Sequence, residues 1–280
     1  IYHFIQILKQ IFLKKISLFE FLKYKVARHD SEVNITISDV SLVIRKGTPD
    51  LMVALSCLTG EFDLLQYLLP KDYSGIIVDA GGYIGTSAIA LNKMYPMASI
   101  VVLEPSIKNI DLLKMNVSDI ENIEVVHGAL IGSRSKSIML NNRGTGEWGF
   151  SVVKRPKDAP DASPIHETPA YRLADLVPNT NEIGLLKLDI EGGEFDLMKN
   201  DMIAMKCIPI VFAELHERII DGVEELFFEF SRDRILIKGA GEKYLSIKYW
   251  VLYANNLWNE KLFNKKILQE KFTQSILKYL

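Results

Sequence analysis

The chain has 280 residues, of which 48% are hydrophobic, 24% charged and 10% aromatic. This composition excludes a low-complexity or disordered protein and supplies enough apolar side chains for a full-sized core. The formal net charge of -2 gives no general reason to expect a nucleic-acid partner. Two cysteines, Cys57 and Cys207, are too few for a disulfide framework and lack the spacing of a metal site, so we expect a reducing, cytoplasmic compartment.

Charge is distributed unevenly along the chain. Residues 1–28 carry six Lys or Arg against one Glu, and residues 238–280 carry eight Lys against three Glu. The stretch between them is therefore strongly acidic. An acidic body with basic ends suits a cationic ligand in the middle of the chain, or an anionic surface that touches the ends.

The N-terminal part of the chain predicts helices around a hairpin. Residues 1–28 have apolar side chains at helical spacing, interrupted by lysines, which indicates a helix or a helix pair. We expect this segment to pack on the main domain or on a second subunit, or to lie at a membrane surface. Two alternating runs, Val33–Ile37 and Ser41–Arg45, predict a β-hairpin. Leu51–Leu69 then predicts a helix broken near Gly60.

From residue 73 onwards, short β-branched runs alternate with helical segments of about ten residues, which predicts parallel βαβ units. The expected strands are Ile76–Asp79, Ile100–Glu104, Ile123–His127, Leu185–Asp189, Ile208–Glu214 and Ile235–Lys238, with Trp250–Tyr253 as a last antiparallel strand at the edge. The expected helices are Ile84–Tyr95, Ile107–Val117, Glu194–Asn200, Gly222–Phe230 and a basic C-terminal helix from Asn259.

The alternation pauses in residues 141–170, which are rich in glycine and proline and have little periodicity. A loop of this length inside a compact domain is usually functional or disordered, and we expect it to cover a ligand site. Trp148 and Phe150 either stack on a ligand ring there or simply pack in a short strand. His166 is a further candidate for the ligand pocket.

In open α/β sheets, ligands bind at the carboxyl ends of the strands. These ends carry Asp79-Ala80-Gly81-Gly82-Tyr83-Ile84-Gly85, then Glu104, and later Asp189-Ile190-Glu191-Gly192-Gly193-Glu194 and Glu214-Leu215-His216. Glycines let the backbone approach a cofactor, and an acid about 20 residues further on suits a pair of ribose hydroxyls. This combination is typical of enzymes that bind a nicotinamide dinucleotide and of enzymes that bind an adenosyl donor.

The sign of the charge favours the adenosyl donor. A dinucleotide would place its pyrophosphate near Asp79, and two like charges about 4 Å apart repel by roughly 4 kcal/mol at an effective dielectric near 20. S-adenosylmethionine has no phosphate and carries an ammonium and a sulfonium group. Acidic side chains at Asp79, Asp189 and Glu191 favour such a ligand.

The chain resembles the FkbM-type methyltransferases, which depend on S-adenosylmethionine, in five segments that occur in this order: VDAGGYIGTSAIAL, VVLEPS, HGALIG, LLKLDIEGGEFDLM and FAELHE. The resemblance covers about Gly60 to Glu217, and its most specific piece is KLDIEGGE, from Lys187 to Glu194. The first loop of the family usually reads D-x-G-A-N-x-G. Here Gly82 and Tyr83 stand where alanine and asparagine are common.

The resemblance implies a class I methyltransferase fold, an α/β Rossmann-like domain with a mostly parallel seven-stranded sheet and helices on both faces. It implies methylation of a hydroxyl on a small molecule or a glycan precursor. We therefore divide the chain into an N-terminal helical segment with a β-hairpin (1–58), a methyltransferase domain (59–258) and a C-terminal basic helix (259–280).

The resemblance also implies which residues bind the cofactor. Carried over by position, Asp79, Gly81 and Gly85 would cradle the methionine part, with Gly82 and Tyr83 in the same loop. Glu104 would hold the ribose hydroxyls, next to Pro105. The turn at Gly128-Ala129 would border the adenine, and Asp189 and Glu191 would lie beneath the transferring methyl and its acceptor.

His216 is a candidate general base, because an unperturbed histidine can accept the hydroxyl proton as the methyl is transferred. Glu191, Glu194 and Asp189 are rival candidates for this role. These three acids and Glu214, together with His216, offer donors of the kind that bind divalent metals. No spacing demands a metal, and none is expected.

Two other functions stay open. One is a nicotinamide-dependent oxidoreductase on a similar sheet, and the other is a non-catalytic membrane-surface or assembly protein in which the basic ends matter. For the methyltransferase, the expected partners are the acceptor and, through residues 1–28, a membrane surface or a second copy of the chain. We expect a cytoplasmic protein with membrane association through that segment.

Overall fold

The structure, a computed structural model, describes residues 11–13 and 15–254. Its first elements are helix α1 (Leu18–Val26), strands β1 (Glu32–Ile37) and β2 (Val40–Arg45), and helix α2 (Asp50–Thr59). The two strands pair antiparallel, so the predicted hairpin is confirmed. Alternate residues of β1 are buried and exposed, as the period of a strand requires. Helix α2 ends at Thr59, next to Gly60, where the helical pattern was expected to break. The predicted continuation to Leu69 was wrong, because only a 3-10 turn at Leu65–Tyr67 follows.

The rest of the described chain alternates between strands and helices. In chain order these are β3 (Ile76–Ala80), α3 (Thr86–Met94), β4 (Ser99–Glu104), α4 (Ile107–Asn116), β5 (Ile123–His127), β6 (Ala129–Leu130), β7 (Ser137–Asn142), β8 (Ser163–Tyr171), α5 (Leu173–Leu176), β9 (Ile183–Leu188), α6 (Glu194–Cys207), β10 (Ile210–Glu214), α7 (Val223–Phe230), β11 (Ile235–Lys238), β12 (Lys243–Ile247) and α8 (Tyr249–Ala254).

The main sheet has the strand order β11-β12-β10-β9-β3-β4-β5 within the described residues. Strands β5, β4, β3, β9 and β10 run parallel, and β12 runs antiparallel to both β10 and β11. The chain leaves β3 towards β4 on one side and returns to β9 on the other. This reversal opens a crevice at the carboxyl ends of β3 and β9. The predicted α/β fold with a mostly parallel seven-stranded sheet is confirmed.

Two apolar clusters cover the two faces of the sheet. Successive residues of β3 point to opposite faces, so that Ile77 belongs to one cluster and Val78 to the other. The cluster around Ile77 includes side chains from α2, α3 and α4, and also Phe21 of α1 and Ile35 of the hairpin. The N-terminal elements therefore share a core with the sheet. The other cluster is built with α6 and α7.

The prediction of an antiparallel edge strand at Trp250–Tyr253 was wrong. These residues lie in helix α8, and the antiparallel strand is β12, which is inserted between β10 and β11. The pattern was hidden because β12 buries a polar residue, Ser246. Its hydroxyl is satisfied by the hydroxyl of Ser231 and by Nε of Arg234, both at 2.8 Å.

Residues 141–170 are not one long loop, as the sequence suggested. Strand β8 pairs antiparallel with β7 and, at its end, parallel with β6. These three strands form a separate small sheet. Pro164 and Pro169 obscured the strand pattern, although proline is tolerated where a strand does not donate to a ladder. The irregular segment is thereby reduced to residues 143–162.

Of the two expectations about the ends of the chain, the structure tests only the N-terminal one, and only in part. The basic helix from Asn259 lies outside the described residues, as do residues 1–10. Helix α1 confirms part of the helical expectation for residues 1–28. No helix among the described residues is long and apolar enough to cross a membrane.

Candidate functional site

A cavity of about 330 Å³ opens at the carboxyl ends of β3, β4 and β9. It brings together most of the residues that the sequence assigned to cofactor and acceptor: Gly81, Gly82, Tyr83, Glu104, Pro105, Gly128, Ala129, Asp189 and Glu191. Three further assigned residues, Asp79, Gly85 and His216, do not line it. The residues that line the cavity can therefore contact a ligand, whereas Asp79, Gly85 and His216 can act only by positioning other residues.

The turn after β3 needs glycine at three positions. Gly81 has φ +84°, and a Cβ there would collide with the carbonyl oxygen of Asp189. Gly85 has φ +90° and begins helix α3. Gly82, where the related sequences often have alanine, has no room for a Cβ because the side chain of Val102 occupies that space. The backbone of this loop therefore lies close against β4 and β9.

Asp79 is fully buried behind the glycine loop. The hydroxyl of Ser87 donates to its Oδ2 at 2.5 Å, and Nζ of Lys187 lies 3.2 Å from its Oδ1. Burial raises the pKa of Asp79, and the charge of Lys187 offsets part of that rise. Lys187 also donates to the carbonyl oxygen of Gly81 at 2.6 Å. Asp79 therefore fixes Lys187, and Lys187 in turn holds the backbone of the glycine loop.

Glu104 forms the opposite wall of the cavity. Its carboxylate accepts hydrogen bonds from the backbone N–H of Tyr83 at 2.9 Å, the backbone N–H of Ser106 at 3.0 Å and the side-chain amide of Asn109 at 3.1 Å. Burial raises the pKa of Glu104 to about 7, although these hydrogen bonds and Lys187 act against the rise. The carboxylate is fixed in place and still faces the cavity, as a partner of ribose hydroxyls would be.

Tyr83 has φ +50°, an uncommon conformation for a residue with a side chain. Its phenol donates a hydrogen bond to Oδ1 of Asp50, at the start of α2. Arg45 lies over the tyrosine ring at 5.3 Å and binds Asp50 through two nitrogens, each at 2.9 Å. Arg45 also donates to Asn109 at 3.0 Å. The departure from the usual asparagine therefore connects the cofactor loop to the N-terminal segment.

The turn after β9 presents two carboxylates to the cavity. Glu191 has φ +50° and Gly192 φ +96°, so the chain turns sharply and both Asp189 and Glu191 face inward. Burial raises the pKa of Glu191. Its Oε2 binds Nη1 of Arg143, and Arg218 lies 3.5 Å from the same oxygen. Arg143 comes from the irregular segment, and sequence reasoning missed it because its partner lies 48 residues away.

His216 is fully buried beneath these carboxylates. Its Nδ1 lies 2.8 Å from Oε1 of Glu194, and its Nε2 lies 3.7 Å from Oδ1 of Asp189 and 3.5 Å from Oε1 of Glu191. Burial opposes a charged imidazole, but Glu194 and the other two acids prevail and raise the pKa of His216 to about 10. An imidazole that already carries a proton at neutral pH is unsuited to accept one.

Apolar side chains close the remaining sides of the cavity. The irregular segment and β7 contribute Leu140, Trp148, Phe150 and Val152, whereas His166 does not line the cavity. Helix α2 supplies another wall, which the sequence did not predict: Met52, Val53, Ser56 and Cys57. The composition of residues 141–170 predicted the first wall, whereas α2 lies outside the motif segments and their spacing carried no sign of it.

The model of the methyltransferase FkbM domain matches residues 79–232, more than half of the chain. The chain belongs to the FkbM methyltransferase family. The family's cofactor is S-adenosylmethionine, and the site fits it, since the backbone of Gly81 and Gly82 lines the cavity and the Glu104 carboxylate faces inward. The acidic lining matches a sulfonium donor better than a pyrophosphate.

One curated relative, Methyltransferase 1 of Beauveria bassiana (strain ARSEF 2860), is 29% identical over 149 residues. The match covers 46% of this FkbM chain and 59% of that relative, so the chain spans less than two thirds of its length. Among solved structures, the SAM-dependent methyltransferase from Agrobacterium tumefaciens is 11% identical with a TM-score of 0.43, and it covers 79% of this chain and 71% of that one. TYW2 of M. jannaschii in complex with AdoMet is 8% identical with a TM-score of 0.40, covering 79% and 85%.

Proposed function

We propose that this FkbM methyltransferase transfers the methyl group of S-adenosylmethionine to a hydroxyl of a small molecule or a glycan precursor. The observation that carries the proposal is one continuous cavity with Glu104 on one side and the carboxylates of Asp189 and Glu191 on another. The first carboxylate suits a ribose. The other two suit a sulfonium and a hydroxyl that loses its proton.

The cofactor would lie along the carboxyl edge of the sheet. Glu104 accepts hydrogen bonds from the two ribose hydroxyls, and the turn at Gly128-Ala129 borders the adenine. The backbone at Gly81 and Gly82 lies against the methionine part. Asp79 acts from behind the loop through Lys187, so it positions the binding backbone and does not touch the cofactor.

Methyl transfer is an in-line displacement at carbon. The bond between the methyl carbon and sulfur breaks, the bond between that carbon and the acceptor oxygen forms, and neutral S-adenosylhomocysteine leaves. The hydroxyl proton passes to a carboxylate that lines the cavity, Glu191 or Asp189. Alignment of the two reactants supplies most of the rate enhancement. His216 is unsuited to the role of base, because it is buried, already cationic in the ion-free protein and outside the cavity.

The apolar part of the cavity is where the acceptor would bind. Trp148 and Phe150 line the cavity together with aliphatic side chains, and Trp148 is partly exposed. An aromatic surface next to carboxylates suits a molecule that has both an apolar face and hydroxyls, such as a sugar ring. The acceptor would therefore enter beside the irregular segment 143–162.

Two measurements test this proposal. Isothermal titration calorimetry should show S-adenosylhomocysteine binding to the purified chain, and NAD should not bind. Incubation with S-adenosylmethionine labelled in the methyl group and a panel of hydroxylated small molecules and glycan precursors should yield a labelled ether. Tight binding of NAD without binding of S-adenosylhomocysteine would support the oxidoreductase instead.

We further propose that α1 touches an anionic membrane surface. One side of α1 is buried through Phe21 and Tyr24, whereas Phe19 and Val26 on the other side are 72% and 81% exposed. Leu18 and Leu22 are exposed as well. The last turn of α1 carries Lys23 and Lys25, and residues 1–28 have a strong excess of positive charge. Apolar side chains flanked by lysines are typical of helices that lie in an anionic lipid interface.

Vesicle pelleting tests this contact without disturbing the core. The full chain should pellet with vesicles that contain phosphatidylglycerol and much less with phosphatidylcholine vesicles. Replacing two exposed side chains, as in F19E/V26E, should abolish pelleting. I203E is the matched control, because Ile203 on α6 is 84% exposed but lies far along the chain from the basic segment. Equal pelleting of F19E/V26E and the unmodified chain would exclude α1 as the contact.

A further inference from the structure

The site contains a buried nitrogen without a hydrogen-bond partner. Nε2 of His216 has none among the described residues, although the residue is fully buried. Its nearest acidic oxygens, on Asp189 and Glu191, lie 3.7 Å and 3.5 Å away, which is longer than a hydrogen bond. A buried polar atom left in this way requires an explanation.

The three side chains are arranged with one donor atom each towards a common point. Oδ2 of Asp189 faces Lys187 at 3.6 Å, while its Oδ1 faces His216. Oε2 of Glu191 takes Arg143, while its Oε1 faces His216. The three donor atoms lie within 4.8 Å of one another. Two atoms that each bind one ion at about 2.1 Å lie about 3 Å apart when adjacent and about 4 Å apart when opposite.

The other ring nitrogen of His216 is held as in metal sites. Nδ1 lies 2.8 Å from the carboxylate of Glu194. That carboxylate is itself fixed by the backbone N–H groups of Ile190, at 3.0 Å, and Gly192, at 2.8 Å. A carboxylate that accepts the Nδ1 proton orients the imidazole, and a cation that bound Nε2 would displace the proton that this nitrogen carries in the ion-free protein. Glu194 therefore positions His216 and is not itself a ligand.

We propose that Asp189, Glu191 and His216 bind one divalent cation at the acceptor end of the cavity. Two carboxylates with one imidazole suit a first-row divalent ion such as Mn²⁺. Asp189 is 35% exposed and lines the cavity, so the remaining coordination positions face the space where the acceptor would bind. This part rests on the proposed function: the ion would bind the acceptor hydroxyl and make it more acidic. The proton would then pass to Oδ2 of Asp189.

The test uses the full chain with Mn²⁺ alone and no S-adenosylmethionine. Electron paramagnetic resonance should show one bound Mn²⁺ per chain, as loss of the signal of the free ion. Spin-echo modulation should show coupling to a nitrogen nucleus, which reports the imidazole of His216. D189N should weaken binding at least tenfold, and because Asp189 is partly exposed, this variant should keep its fold. H216Q should remove the nitrogen coupling.

Two matched variants separate this site from its neighbours. D158N removes a carboxylate that binds Arg143 and Arg218 but is not one of the acids within 4 Å of His216, and it should leave Mn²⁺ binding unchanged. E214Q tests a second group, Glu214 with His216 and Glu242, whose donor atoms also lie close together. It should leave binding unchanged too. Loss of binding in E214Q, or full binding in D189N, would overturn the assignment.

Failure of this inference differs from failure of the proposed function. Calorimetry with S-adenosylhomocysteine on chain treated with EDTA measures the cofactor site without any ion. Cofactor binding without Mn²⁺ binding would refute the cation site and leave the methyltransferase intact. Absence of both would remove the methyltransferase assignment for this cavity.

Discussion

The phenol of Tyr83 donates a hydrogen bond to the carboxylate of Asp50, which joins the cofactor loop to the first turn of α2. Because Arg45 binds the same carboxylate, the contact belongs to a small network, and Arg45 extends it to Asn109 beside Glu104. A substitution of Tyr83 should therefore change both the stability of the fold and the affinity of the site for the ribose of the cofactor.

Tyr83→Phe keeps the ring under Arg45 and removes only the hydroxyl. We expect the free energy of unfolding to fall by about 1–2 kcal/mol, because a buried carboxylate loses one donor. The Kd of S-adenosylhomocysteine should rise several-fold, since the loop backbone that binds Glu104 loses its anchor. Urea denaturation and calorimetry measure the two effects. Y249F, at a half-exposed tyrosine on α8, is the control and should change neither.

Cofactor binding should depend on pH through Glu104. Burial raises the pKa of Glu104 to about 7 in the ligand-free protein, and ribose hydroxyls require the carboxylate form. Protonation below pH 7 should therefore raise the Kd about tenfold for each pH unit, while above pH 8 the Kd should level off. Calorimetry between pH 5.5 and pH 8.5 measures the profile.

The matched variant for that profile is Glu104→Gln. It should bind S-adenosylhomocysteine weakly at every pH, with no inflection near pH 7. E124Q removes an exposed carboxylate from the neighbouring strand β5 and should keep the inflection. An unchanged inflection in Glu104→Gln would assign it to another group.

Asp79→Asn should destabilise the fold by about 3–5 kcal/mol, because it leaves the ammonium of Lys187 buried with less compensation. The cofactor loop should loosen as a consequence, since Lys187 holds the carbonyl of Gly81. Urea denaturation measures the cost. The double variant D79N/K187M should regain part of the stability but not the cofactor affinity. Unchanged stability in Asp79→Asn would refute the buried ion pair.

Trp148 should report ligand binding by fluorescence. It is partly exposed at the cavity wall, so a ligand that shields it should change both the intensity and the emission maximum. Titration with S-adenosylhomocysteine should give a saturable signal that is lost in Trp148→Phe. W250F, on α8, should retain the signal. A full response in Trp148→Phe would place the ligand away from this wall.

The parallel strands were predictable because short apolar runs, rich in β-branched residues in β3 and β4, are separated by helical segments. Strand β12 was not, because Ser246 is buried only with the help of Ser231 and Arg234, and these partners approach from other elements. A pattern within one segment does not contain such partners. Strand β8 was missed for a local reason, since its prolines interrupt the expected alternation.

The same limit applies to the site. The backbone motifs placed Gly81, Glu104 and Asp189 at one edge of the sheet, because carboxyl ends of parallel strands meet there. The sequence could not predict which partners surround each of these side chains. Asp50 reaches Tyr83 across 33 residues, and no motif spacing encodes that contact.

The shared core of the N-terminal elements and the sheet also limits how the protein can be divided. A fragment that contained only residues 79–232 would lack α2, which seals one side of the cavity, and both β11 and β12. The outer edge of β10 would then lie bare, with backbone groups ready to pair with another molecule. Such a fragment should be recovered as insoluble material, so expression trials need to retain the hairpin and everything up to α8.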